Sequence, residues 1–161
     1  MKDTYLISFN TLMLLPETTG HRTRTKIIDR QQNIIINRKP MYVIRKTCLT
    51  LGLSYEMTRK NAKNFFGNQH KLPIVVSHDY GVPCVFFPTF SPTAEGNVWI
   101  GLHAVKRIDP TEVNCTVTLI NNEVVPLEAS FVTVLKQFAN ANLLYRHFKR
   151  ERAAILHDSV F

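Results

Sequence analysis

At 161 residues, with 45% hydrophobic content and only six glycines, the chain is long enough to bury a core and too apolar to be disordered. Its net charge of +8, from 20 Lys and Arg against 12 Asp and Glu, points to a phosphate-rich partner or an anionic surface rather than a basic one. No apolar run approaches a membrane-spanning length, and Cys48, Cys84 and Cys115 lie far apart without C-x-x-C spacing, which argues against zinc and disulfides.

The charge is segregated. Residues 1–72 carry +9, residues 73–128 carry −4 and residues 129–161 carry +3. We expect one domain over 1–161: a basic hairpin with helices (1–72), a β-rich scaffold (73–128) and a C-terminal helical segment (129–161). The opening residues carry Asp3 and Asn10 and lack a small-residue cleavage site, so they read as structure rather than as a leader. The expected location is the cytoplasm, in association with the nucleoid.

Tyr5 to Leu15 reads as one or two strands ended by Pro16, with a turn through Gly20. In His21 to Asp29, strand alternation places Arg22, Arg24 and Lys26 on one face and Thr23, Thr25 and Ile27 on the other. A polar turn and a short strand, Ile34 to Asn37, complete a hairpin. Pro40 suits the first turn of a helix with Met41, Ile44, Cys48 and Leu51 as its apolar stripe. Gly52 fits just past its end. Ser54 is an N-cap for a second helix, which places Tyr55, Ala62, Phe65 and Phe66 on one arc and stops at Gly67. Two helices joined by L-G-L-S have the outline of a helix-turn-helix, although base-reading Asn or Gln residues are limited to Asn61 and Asn64.

Pro73 to Ser77 and Val82 to Phe87 are strands apolar enough to be buried on both faces, joined by a turn at His78 to Gly81. Pro88 to Asn97 is a loop, and Val98 to Ile108 reads as one further strand. Cys115 to Ile120 and Glu123 to Leu127 flank Asn121-Asn122, a two-residue hairpin turn. From Ser130 the pattern is helical, in one helix or in two broken near Asn140 to Asn142. The fold class is therefore α+β: an antiparallel hairpin scaffold, two short basic helices and a C-terminal helical segment.

The central candidate for function is a cationic set: Arg22, Arg24, Lys26, Arg38, Lys39, Arg45, Lys46, Arg59, Lys60, Lys63 and Lys71. Phosphates need outward-reaching cations, and Arg also enters a narrow A/T-rich minor groove. Any one of these alone reads as a solvated surface charge; the group within some 50 residues reads as a polyanion site. Phe86, Phe87, Phe90 and Trp99 read first as core and second as base-stacking groups of a single-strand binder. His78-Asp79 reads as a turn rather than a metal site. The basic part holds no two acids close in sequence, so a metal-dependent nuclease is not expected; neither is any other enzyme, metal or cofactor.

Lys39-Pro40, Cys48, Gly52, Ser54-Tyr55, Arg59, His70-Lys71, Pro73-Ile74, Phe87-Pro88-Thr89, Ser91 and Trp99, in this order and spacing, resemble the ComK family of competence transcription factors. The resemblance covers about three quarters of the chain. It implies a sequence-specific activator of DNA-uptake genes that recognises paired A/T-rich boxes through the minor groove and works as a homo-oligomer. It also implies RNA polymerase and a protease adaptor as further partners. Met57 stands where the family tract usually has glycine, and Thr58 where it usually has a basic residue. The chain stops at Phe161 where better-known relatives run on with a tail used for activation or adaptor binding, so adaptor-dependent degradation is the part of the expectation that the sequence leaves open. A non-activating relative of a longer ComK is the alternative within the family.

Overall fold

The structure, a computed structural model, describes residues 4–159, which excludes Asp3. Along them run β1 (Thr11–Thr19), β2 (Arg22–Asp29), β3 (Asn33–Ile36), α1 (Pro40–Thr50), α2 (Tyr55–Phe66), β4 (Ile74–Asp79), β5 (Val82–Pro88), β6 (Trp99–Gly101), β7 (Val105–Pro110), β8 (Cys115–Leu119), β9 (Val124–Leu127) and α3 (Phe131–Ser159). The fold is α+β, as the sequence pattern indicated. A six-stranded antiparallel sheet has the order β3-β2-β1-β6-β5-β4, and a three-stranded one has the order β7-β8-β9.

Alternation along the strands explains how the larger sheet is buried on both sides. Leu14, Ile27, Ile74, Val76, Cys84, Phe86 and Trp99 point one way and pack with Val43 and Ile44 of α1. Their neighbours Met13, Ile28, Val75, Val85, Phe87 and Ile100 point the other way, toward Val117 and Leu119 of the smaller sheet and Val134, Ala141 and Leu144 of α3. Each fully buried Phe or Ile contributes roughly 1.5–3 kcal/mol. The doubly apolar runs of β4 and β5 are thus accounted for. Because β4 ends the sheet, α2 shields it: the Thr58 hydroxyl donates to the Val75 carbonyl at 2.7 Å. From α3, Gln137 donates through Nε2 to the carbonyls of Lys71 (2.7 Å) and Pro88 (3.1 Å).

Several expectations are corrected. Pro16 does not end β1 but lies within it, opposite Thr25. β6 pairs with β1 only at Met13 and Leu14, so past that point this side of β1 is an open edge where a missing N–H costs nothing. The turn falls instead at Gly20, φ +62°. Tyr5 to Phe9 is not strand; the segment is tied down by Ile7 N–H on Thr47 Oγ1 (3.0 Å) and by the Tyr5 hydroxyl on Asp29 (2.8 Å). Residues 98–108 are two strands in different sheets, separated by a 3-10 turn at Leu102–Ala104. Gly101 allows that turn, since a Cβ there would stand 2.6 Å from the His103 ring. The buried stripe of α1 is Pro40, Val43, Ile44, Thr47 and Cys48, with Leu51 exposed at the cap. On α2 it is Tyr55, Thr58 and Ala62, with Phe65 exposed beside His147 of α3. α3 runs unbroken through Asn140 to Asn142, because Ala141 and Leu144 are held in the core.

Candidate nucleic-acid interface

β2 has the alternation read from sequence, and this divides the cationic set. Thr25 and Ile27 face α1: the Thr25 hydroxyl donates to the Arg38 carbonyl at 2.7 Å, and Ile27 packs with Val43 and Ile44. By the same alternation Arg22, Arg24 and Lys26 leave the sheet on the face of Ile28, away from α1. Arg24 is turned to Glu17 on the neighbouring strand, at 3.8 Å. The eleven cations do not share one face.

Three of them do meet. Past the pairing with β6, β1 and β2 continue as a two-stranded ribbon to the turn at Gly20 and His21. Its base lies beside the segment that enters α1. His21, Arg22 and Thr23 from the ribbon, with Asn37, Arg38 and Lys39 from that segment, line an open concavity of about 330 Å3. Arg38 is exposed, with its guanidinium 5.2 Å from the Tyr42 ring centroid. Lys39 is the N-cap residue of α1 and is exposed. A second concavity, of about 270 Å3, shares Thr23 and Lys39 with the first and extends to the 92–99 loop. Cations 16 residues apart in sequence thus border one concavity.

A second group surrounds Tyr55 at the α1–α2 junction. Arg45 pairs with Glu56 and lies 4.8 Å from the Tyr55 ring centroid. That pairing holds the exposed Glu56 carboxyl below its usual range. Burial raises the pKa of the Tyr55 hydroxyl, and the nearby Arg59 guanidinium acts against that rise. Lys46, Lys60 and Lys63 are exposed on the two helices. Lys71 is half-buried, close to α3 through the Gln137 bond to its carbonyl.

The profile of the ComK protein family matches residues 2–153. The chain belongs to the ComK family. A competence transcription factor of Bacillus subtilis (strain 168) is 29% identical to it over 130 residues, which cover 80% of this chain and 67% of that protein. No solved structure matches.

Within this ComK-family chain the two departures from the usual tract have different settings. Met57 is 56% exposed on the first turn of α2, where the Ser54 cap accepts its N–H at 3.1 Å. Thr58 is buried and spent on the β4 edge, so a longer basic side chain there would have to leave that bond. Phe86, Phe87 and Trp99 are core residues and Phe90 packs on the core half-buried, so Phe86, Phe87 and Trp99 offer no open face for base stacking. Among the described residues no group of three His, Cys, Asp or Glu could hold a metal ion, and no helix is long and apolar enough to cross a membrane. His21, Thr23 and Asn37 were missed as lining residues. Only the adjacency of His21 to Arg22 could have drawn attention to them, because the meeting of ribbon and helix entry is tertiary.

Proposed function

We propose that this chain is a DNA-binding transcription activator of competence genes, acting on A/T-rich boxes through the minor groove as a cytoplasmic homo-oligomer. Membership of the ComK family and a relative named as a competence transcription factor support the regulatory role. The observation that supports this binding mode is the open concavity that Arg22, Arg38 and Lys39 border. Arg22 and Arg38 are long enough to follow the narrow, strongly negative minor groove of A/T-rich DNA while Lys39 meets a backbone phosphate. The cations of α1 and α2 extend the contact along the phosphates. Minor-groove edges separate mainly A·T from G·C, so the spacing and bending of paired boxes supply the remaining specificity. RNA polymerase and a protease adaptor belong to the same reading as partners.

Footprinting on A/T-rich promoter fragments tests this, with competition by a random single strand and by a minor-groove ligand. The expected result is protection of paired A/T boxes, lost to the minor-groove ligand and kept against the single strand. Equal competition by the single strand would overturn the proposal.

A further inference from the structure

α3 has two unlike faces. Val134, Gln137, Ala141 and Leu144 are buried toward the sheets. On the opposite side of the helix run Val132, Leu135, Ala139, Leu143, Arg146 and Arg150, at spacings of three and four, and all six are exposed. Val132 is 74%, Leu135 45% and Leu143 50% exposed. One apolar side chain at a surface is ordinary, but three large ones in line with an alanine form a continuous strip that the fold leaves open. The order of that strip shows what fits it. Leu135 and Leu143 stand four residues to either side of Ala139, and Val132 and Arg146 stand seven to either side. Beyond them lie Glu128, exposed just before the helix, and Arg150, each eleven residues from Ala139. The strip therefore matches its own reversal. Laid antiparallel on a second copy, Leu135 meets Leu143 of the partner subunit, and alanine at the centre lets the two axes come close. The aliphatic stem of the partner's Arg146 covers Val132 while its charged head stays in water. Charge selects the direction. Parallel pairing would set Arg146 and Arg150 against their own copies, whereas antiparallel pairing brings Glu128 toward the partner's Arg150.

We infer that the outer face of α3 docks a second copy of this chain, helix against antiparallel helix, about a two-fold axis at Ala139. Such a contact uses the same patch on both subunits and closes after two copies. The inference rests on the homo-oligomer of the proposed function and names the surface that forms it, and it does not depend on how the chain meets DNA. A single helix pair lies at the small end of specific interfaces, below about 1,200 Å2 in total, so the dimer is of micromolar strength.

Cys48, Cys84 and Cys115 are all buried, so a thiol introduced at the surface is the one open to oxidation. The full chain carrying Ala139→Cys is oxidised with copper phenanthroline and compared with Val124→Cys, an exposed position on β9 that reports random collision. A mixture of Leu135→Cys chains with Leu143→Cys chains tests the register. Sedimentation of the unaltered chain up to about 100 μM measures association, with Leu135→Glu as its variant. Ala139→Cys should link into a covalent dimer at least tenfold faster than Val124→Cys, and the mixture should link faster than either of its components alone. Leu135→Glu should melt with the unaltered chain and associate at least tenfold more weakly. Should Leu135→Glu fail to fold, Leu143→Glu takes its place, and the cross-linking rates stand independently of both. A chain that stays monomeric overturns the inference together with the homo-oligomer. A dimer in which Ala139→Cys links no faster than Val124→Cys, or in which Leu135→Cys links to itself as fast as the mixture does, overturns the inference and leaves the homo-oligomer standing.

Discussion

Replacing Arg22, Arg38 and Lys39 together by Gln removes three cations from one concavity. Each phosphate contact contributes about 0.9 to the slope of log affinity against log salt, so the triple variant should lose up to about 2.7 from that slope. Between about 50 and 200 mM salt that difference amounts to roughly 40-fold: the wild type weakens about 40 times more than the variant across the range. Fluorescence anisotropy with a labelled A/T-box duplex at four or five salt concentrations measures this. The control is Lys26→Gln with Lys71→Gln, two cations that do not line the concavity, the second half-buried near α3. Their slope should match that of the wild type. Arg38 also loses its place over Tyr42, worth about 0.5–1 kcal/mol, so a melting curve must accompany the titration. An unchanged slope in the folded triple variant, or an equal drop in the control pair, would refute the placement of the interface.

Other consequences concern stability and reactivity. Burial lowers His103 from 6.5 to about 4, and its Nε2–H donates to the Thr11 carbonyl at 2.8 Å. Between those two values the unfolded chain takes the proton and the native one does not, so stability should fall as pH drops from 6.5 and level off below 4, by at most about 3 kcal/mol. Urea denaturation across that window should show a smaller loss in His103→Phe, although the variant starts less stable. Thr58→Val keeps the shape of the side chain but leaves the buried Val75 carbonyl without its donor, which should cost about 1–3 kcal/mol in the same assay. Burial pushes the Cys48 thiol up to about 11 and the Cys84 thiol up to about 12, so both should resist alkylation at pH 8 until denaturant is added.

What was legible in the sequence was what is locally determined. Pro40 and Ser54 start their helices, Gly52 and Gly67 end them at positive φ, and Asn122 takes φ +70° in the β8–β9 turn. Alternation correctly gave the two faces of β2. It could not say which face α1 would cover, and that choice separates Arg24 and Lys26 from the helix cations. Pro16 misled because a proline in a strand is a stop only where its N–H is needed, and the short reach of β6 is a tertiary fact. The strand expected over 98–108 failed at Gly101, where the His103 ring occupies the space of a side chain. Asn140 to Asn142 looked like a break, but core contacts of Ala141 and Leu144 outweigh a weak local preference.

Gln137 acts as a dowel for the whole C-terminal helix. Its two amide hydrogens reach carbonyls on either side of the β4–β5 hairpin, so a single side chain fixes both the rotation of α3 and its position along its own axis. A carboxamide one methylene shorter would not reach both carbonyls, and α3 would then rest on its apolar contacts alone.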